Sequence, residues 1–137
     1  MNNAFVLDAC ALISLARNEA GAEVVADAYA KAGRGEATLL INRINLLEVY
    51  YDFYRYKGKK YADDFVKTVK RSNVRISEFD ETIFAQAGRL KASYKISLAD
   101  SIALAQAIVV DGALLTCDHH EFDAIAGKER INFAWIR

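Results

Sequence analysis

A chain of 137 residues has the length of one domain, and its 53% hydrophobic and 26% charged residues are enough for a buried core. Lysine plus arginine equals aspartate plus glutamate at 18 each, so the overall charge identifies no polyanionic partner. No apolar run approaches the roughly 20 residues of a membrane span, and the N-terminus lacks the features of a secretory signal. We therefore expect a single domain over residues 1–137, in the cytoplasm and without membrane contact.

The two cysteines, Cys10 and Cys117, lie among apolar residues. They form no Cys-x-x-Cys pair and no other spacing that is typical of a metal site. Because a free cysteine behaves as a small hydrophobic side chain, we expect two buried thiols and no disulfide.

The sequence predicts strands that alternate with helices along the chain. Apolar runs of strand length lie at 4–7, 38–41, 74–77, 113–116 and 131–136. Apolar residues at helical spacing lie at 9–17, 20–32, 43–56 and 61–71, then from Asp80 to Tyr94 and between Asp100 and Asp111. Gly112 is interpreted as the signal that ends the last helix. This alternation predicts an α/β fold with a mainly parallel sheet.

Four acids occupy equivalent positions, each at a strand end or in the first turns of the following helix: Asp8, Glu48, Asp100 and Asp118. Each of the first three also has a purely structural interpretation. Asp8 would cap a helix, Ser97-x-x-Asp100 fits a capping box, and Glu48 fits the margin of an apolar helical stripe. For any one acid taken alone, both interpretations remain open.

The positions of the four acids converge on one edge if the sheet is parallel. Like charges about 4 Å apart repel by about 4 kcal/mol at an effective dielectric near 20, so such a cluster favours protonation or a bound cation. Mg²⁺ and Mn²⁺ prefer carboxylate oxygens and water as ligands. Such an ion could activate water and neutralise charge on a phosphodiester.

Four short segments carry these acids and resemble a known family. They are Val6-Leu7-Asp8-Ala9-Cys10-Ala11-Leu12-Ile13, Asn45-Leu46-Leu47-Glu48, Ile96-Ser97-Leu98-Ala99-Asp100-Ser101, and Leu115-Thr116-Cys117-Asp118 with Phe122 just beyond. In order and spacing they resemble PIN-domain nucleases, in particular the VapC-type toxins of VapBC toxin–antitoxin pairs. The resemblance covers essentially the full length. It implies a three-layer PIN-like fold with a mainly parallel sheet of about five strands flanked by helices.

The resemblance also implies an endoribonuclease with an acidic pocket for Mg²⁺ or Mn²⁺. On it, Asp8, Glu48 and Asp100 are catalytic metal ligands, and Asp118 is a further ligand or positions metal-bound water. Thr116 is a supporting hydroxyl. RNA is the implied substrate and a cognate protein antitoxin the implied partner. A homodimer is left open.

The chain departs from the family pattern directly after Asp8. The next position in the family is often small or hydroxylated and the following one often serine, where this chain has Ala9 and Cys10. Metal binding stays compatible with this change, but a supporting hydroxyl is lost. Family members vary after the final aspartate, so no role is carried over to His119, His120, Glu121 or Asp123. We expect a solvated loop around the two histidines.

Residues 50–61 combine tyrosines and a phenylalanine with arginine and lysines. The preceding helical pattern has one apolar stripe that includes Leu47, Tyr51 and Tyr54, and a neighbouring stripe that includes Val49 and Phe53. Three interpretations stay open: tyrosines stacking on unpaired bases beside phosphate-binding lysines, a groove for a partner helix, or a helix packed by its aromatic face with a basic end.

Two other functions compete with the nuclease. A Mg²⁺-dependent phosphatase with an aspartyl nucleophile would have Asp-x-Asp after the first strand, and Asp8-Ala9-Cys10 supplies one acid only. A catalytically silent PIN-like module would bind RNA or protein. Retention of all four acids argues against it, because a buried acidic cluster without a use is costly to keep.

Overall fold

A parallel sheet of five strands forms the centre of the computed structural model, which describes residues 3–137. The strands are β1 (Ala4–Leu7), β2 (Thr38–Asn42), β3 (Val74–Ser77), β4 (Ala113–Thr116) and β5 (Asn132–Trp135). Their order across the sheet is β3-β2-β1-β4-β5, and each neighbouring pair is parallel. The predicted α/β class and parallel sheet are confirmed.

Seven helices connect or follow these strands in the described part of the chain. They are α1 (Ala9–Ala16), α2 (Ala22–Gly33), α3 (Arg43–Lys57), α4 (Lys59–Arg71), α5 (Glu81–Ser93), α6 (Leu98–Val110) and α7 (His119–Phe122). Within residues 3–137, none combines the length and apolar composition that crossing a bilayer requires.

The strands divide their side chains between two apolar cores. In β1, Leu7 packs into a core formed mainly with α1–α4, whereas Val6 packs into a second core formed mainly with α5 and α6. In β4, Leu115 packs into the first core and Leu114 into the second. Successive strand residues point to opposite faces, so this alternation places a helical layer on each side of the sheet. Full burial of each leucine stabilises the fold by about 1.5–3 kcal/mol.

Several element boundaries differ from the predicted ones by one or two residues. Helix α2 begins at Ala22 rather than at 20, and strand β5 is limited to Asn132–Trp135. Helix α4 begins at Lys59 rather than at 61, because only Gly58, with φ of 89°, separates it from α3. The ion pair of Lys59 with Asp63, one turn later, favours this earlier start.

The end of α6 is built differently from the prediction. The helix stops at Val110, and Asp111 rather than the glycine takes the left-handed conformation, with φ of 53°. The N–H of Gly112 then donates to the carbonyl of Ala107 at 2.9 Å. Glycine is required at 112 because a Cβ there would lie 2.8 Å from the carbonyl oxygen of Ala4 in β1.

We predict that Gly112→Ala lowers the free energy of unfolding by about 1–3 kcal/mol, because the methyl group overlaps strand backbone rather than a flexible side chain. Gly88 in α5 is the matched control, since nothing lies within 4 Å of a Cβ placed there. Gly88→Ala should instead stabilise by up to about 1 kcal/mol through helix propensity. Urea denaturation measures both changes, and wild-type stability of Gly112→Ala would contradict the close approach.

Candidate active site

A cavity opens at the carboxyl edge of the sheet, beside the ends of β1 and β4. These strands pair in parallel, with Leu7 opposite Leu115, so Asp8 and Asp118 follow neighbouring strand ends. The chain passes from β1 to β2 and β3 on one side of the sheet and later adds β4 and β5 on the other. Such a reversal of strand order leaves a crevice outside the strand ends, where ligands bind in open α/β sheets.

All four predicted acids line this cavity, which has a volume of about 350 Å³. Asp8 and Asp118 reach it from the strand ends, Glu48 from the second turn of α3, and Asp100 from the first turn of α6. The structure therefore brings together side chains that are up to 110 positions apart in sequence. Their catalytic and metal-binding roles stay predictions.

The Asp8 carboxylate is buried and has a hydrogen bond on each oxygen. Oδ1 accepts the N–H of Ala11 at 2.9 Å and so caps α1, and Oδ2 accepts the hydroxyl of Thr116. Burial raises the pKa of Asp8 from 3.8 to about 7 despite these two bonds, and the charges of Asp118 and Glu48 add to the rise. Asp8 is thus both the predicted cap and a member of the cluster.

The Thr116 hydroxyl connects two of the acids. While it donates to Asp8, its oxygen accepts the N–H of Asp118 at 3.0 Å. Asp118 in turn caps the short helix α7, where its Oδ1 accepts the N–H of Glu121 at 3.2 Å. The buried hydroxyl therefore fixes the position of Asp8 relative to the start of α7.

Asp100 uses its backbone and its side chain for different purposes. The N–H of Asp100 donates to the Ser97 hydroxyl at 3.1 Å, which caps α6. The return bond of a capping box, from the Ser97 N–H to the Asp100 carboxylate, is absent from the described hydrogen bonds. Burial raises the pKa of Asp100 well above its usual range, and a hydrogen bond with the Asp118 carboxylate and the charges of Asp118 and Asp8 raise it further. The carboxyl group thus belongs to the acidic cluster.

Glu48 marks the border between the buried and exposed sides of α3. Partial burial raises the pKa of Glu48, and the charges of Asp118 and Asp52 add to the effect. On the buried side, Phe53 is fully enclosed. The stripe that contains Leu47, Tyr51 and Tyr54 is exposed, at 52%, 44% and 45% respectively, which argues against the interpretation that this stripe packs into the core.

The donor set of this cavity suits a hard divalent cation. One carboxylate oxygen from each of Asp100, Asp118 and Glu121 lies within 4.8 Å of the others, and Asp8 and Glu48 line the same space. The raised pKa values of Asp8, Glu48 and Asp100 show that the cluster resists ionisation on its own. Mg²⁺ and Mn²⁺ fit because they prefer oxygen ligands and would offset this repulsion.

The structure brings the side chains of Cys10 and Cys117 into contact, whereas we expected two separate buried thiols. Their Cα atoms are 6.2 Å apart, inside the range of about 4.4–6.8 Å that disulfides span. Cys10 lies in the first turn of α1 and Cys117 directly after β4, and the pairing of β1 with β4 brings these segments together. Residues 107 positions apart carry no local sign of such a contact.

The two histidines lie outside the cavity lining in the described structure. They begin helix α7 rather than forming the expected loop, and both are exposed. The His119 ring stacks on Trp135 with centroids 3.8 Å apart. Its Nδ1 lies 2.9 Å from a carboxylate oxygen of Asp123, and this bond raises the pKa of His119.

Glu121 and Asp52 line the cavity without having been assigned a role from the sequence, whereas Tyr51 and Arg55 belong to the aromatic and basic segment 50–61, whose role was left open. The Asp118-x-x-Glu121 spacing was the available signal for Glu121, because it places two carboxylates one helical turn apart. On α3, Tyr51, Asp52 and Arg55 line the cavity with Glu48. Their spacing from Glu48 of three, four and seven residues puts them on one face of the helix.

Residues 5–128 match the PIN domain family. The chain belongs to the PIN domain family. Membership supports a hydrolase that acts on nucleic acid, the general activity implied by the resemblance.

Solved structures share the PIN domain fold of this chain. The DNA-bound VapBC structure from Salmonella typhimurium has a TM-score of 0.75 at 16% identity and covers 100% of both chains. VapBC2 from Rickettsia felis, bound to a promoter DNA fragment, has a TM-score of 0.75 at 17% identity over 96% of this chain and 98% of that one. VapC20 from Mycobacterium tuberculosis, described as a toxin that cleaves the sarcin–ricin loop, has a TM-score of 0.69 at 14% identity over 90% of this chain and 95% of that one. No curated protein sequence matches the chain.

We predict that the metal-free PIN domain loses stability as the pH rises from about 4 to 7. The native state holds a proton on Asp8 up to about pH 7, whereas the unfolded chain releases it near pH 4, so the free energy of unfolding falls across this interval. Asp100→Asn removes one repelling charge, and without metal it should melt higher than wild type by roughly 3 °C or more at pH 8. It should also gain less from added Mg²⁺.

Asp111→Asn, at the other end of α6, is the control because Asp111 is exposed and asparagine tolerates its left-handed backbone. It should keep the wild-type pH profile. Thermal melts in EDTA and in excess Mg²⁺ provide the data. If Asp100→Asn melts lower than wild type without metal and gains equally from Mg²⁺, Asp100 is only a helix-terminal acid.

Proposed function

We propose that this protein is a metal-dependent endoribonuclease and the toxin of a toxin–antitoxin pair, acting in the cytoplasm. The observation that carries the proposal is the convergence of Asp8, Glu48, Asp100 and Asp118 on one cavity at the carboxyl edge of the sheet. PIN domain membership and the fold shared with VapBC structures support it. RNA as the substrate class is supported by the similar VapC20 from Mycobacterium tuberculosis, a toxin that cleaves the sarcin–ricin loop.

The acids would act as a preformed holder for Mg²⁺ or Mn²⁺. Asp100, Asp118 and Glu121 supply the closest oxygen group, and Asp8 and Glu48 complete the ring of carboxylates around the cavity. A bound ion would lower the pKa of water and neutralise charge on the scissile phosphate. Thr116 would hold Asp8 and Asp118 in fixed positions relative to each other through its two hydrogen bonds. Asp8 and Asp100 would give up their protons when the ion enters, because it reverses the local charge.

The exposed side of α3 beside the cavity supports a protein partner. Leu47, Tyr51 and Tyr54 expose apolar and aromatic surface on α3, and Tyr51 also lines the cavity that holds the acids. An antitoxin segment that covers residues 50–61 and the cavity would bury this surface and block the substrate. A homodimer stays a prediction.

RNA cleavage by the purified protein should require Mg²⁺ or Mn²⁺ and stop in EDTA. The products should carry 5′ phosphates, as expected when water attacks phosphorus and the 3′ oxygen leaves. Asp100→Asn should reduce the rate by roughly 100-fold or more, and Asp111→Asn should leave it unchanged. Gel analysis of 5′-labelled RNAs, structured and unstructured, measures this. Cleavage in exhaustively chelated buffer, or 2′,3′ cyclic phosphate ends, would contradict the mechanism.

Expression of the protein alone should arrest growth, and co-expression of its cognate antitoxin should relieve the arrest. The Asp100→Asn variant should be harmless while it still binds the antitoxin, because the substitution leaves the exposed side of α3 intact. Colony counts after induction and co-purification provide the two readouts. If the protein cleaves RNA in vitro but does not slow growth, the toxin assignment is wrong and the nuclease assignment stands.

A further inference from the structure

Two side chains on α3 give the acidic cavity a different chemistry at one end. Tyr51 and Arg55 line it together with Glu48, from which they are three and seven residues away on the same helical face. At 1.5 Å per residue, Arg55 lies about 10 Å along the helix from Glu48. A polymer whose scissile phosphate sits at the acids would therefore pass these two residues.

Arg55 is the only basic side chain in the described lining of the cavity. Asp52, the nearest acid of the lining along α3, is already paired with Arg17 at 2.8 Å. Among residues 3–137, Arg55 has no ion pair. An exposed guanidinium without a carboxylate partner, beside a cluster that repels anions, is well placed to attract a phosphate.

Tyr51 supplies an aromatic surface next to this charge. Its side chain is 44% exposed, and the Arg55 guanidinium lies 5.0 Å from its ring centroid. The contact holds the two groups as a unit, because a cation over an aromatic face is attracted to it. Aromatic rings beside basic groups are the usual means of binding unpaired nucleotides, with bases stacked and phosphates neutralised.

We propose that Tyr51 and Arg55 form a nucleotide-binding subsite beside the acidic cluster. Arg55 contacts a phosphate next to the scissile one, and Tyr51 stacks on an unpaired base. The proposal rests on the proposed function and adds that the preferred substrate is single-stranded at this position. A paired base has both faces covered by its neighbours and cannot stack on the tyrosine.

The test measures binding separately from cleavage. All proteins carry Asp118→Asn to block the reaction, and the probe is a fluorescein-labelled, unstructured oligoribonucleotide in Mg²⁺, followed by fluorescence anisotropy. Tyr51→Ala should raise Kd about 10-fold, and Tyr51→Phe should bind like the parent because it keeps the ring. Arg55→Gln should raise Kd several-fold and reduce the salt dependence of log Kd by about 1.

The same helix provides matched controls. Tyr54 is 45% exposed and Lys57 is exposed, but neither lines the cavity. Tyr54→Ala and Lys57→Gln should therefore bind RNA like the parent. A hairpin probe that presents only paired bases should be insensitive to Tyr51→Ala. Thermal melts check that each variant is folded, as expected for substitutions of exposed side chains.

The proposal is wrong if Tyr51→Ala and Arg55→Gln bind the probe as tightly as the parent, or if Tyr54→Ala weakens binding equally. It is also wrong if Tyr51→Ala weakens antitoxin binding alone, which would assign this surface to a protein partner. In the enzyme without Asp118→Asn, Tyr51→Ala should raise KM with little change in kcat. If both variants bind the RNA probe like the parent while the enzyme cleaves RNA, only the subsite proposal is wrong. If these variants bind the RNA probe more weakly but the enzyme cleaves no RNA with any metal, only the proposed reaction is wrong.

Discussion

Electrostatic repulsion among carboxylates at one sheet edge is the constraint on which the site depends. Burial and neighbouring charges raise the pKa values of Asp8 and Asp100, so the cluster cannot be fully ionised without a compensating charge. The fold nevertheless holds the acids together through β1 and β4 and through the hydrogen bonds of Thr116. The hydrophobic cores on both sides of the sheet provide the stability that offsets this repulsion.

Capping and cluster membership are compatible at the same residues. Asp8 and Asp118 each use Oδ1 to cap a helix, which leaves Oδ2 of Asp8 for Thr116. At α6, Ser97 provides the cap and the Asp100 carboxylate remains available to the cluster. The amino ends of three helices therefore point their partial positive charge towards the acids, which partly compensates the repulsion in the absence of a cation.

The strands and most helices could be predicted because their signals are local. The alternation of strands and helices placed the four acids at one edge, and the parallel sheet confirms that placement. Contacts made only by the tertiary fold could not be read in this way. The contact of Cys10 with Cys117 depends on the β1–β4 pairing, and the need for Gly112 depends on the passage of β1 beside it. For α3, the apolar pattern could not tell which aromatic stripe is buried, because tyrosine fits both environments.

The 6.2 Å between the Cα atoms of Cys10 and Cys117 is compatible with a disulfide, which under oxidising conditions would make a covalent ring of the intervening chain, with Asp8 and Asp118 just outside the ring at its two ends. In such an oxidised chain these two carboxylates would remain close to each other, at a high effective concentration, even after the sheet has melted. A denatured, oxidised chain thus keeps a weak chelating pair that a reduced chain lacks. Because binding to the unfolded state subtracts from ligand stabilisation, divalent cations should protect the reduced fold by a larger margin than the oxidised one.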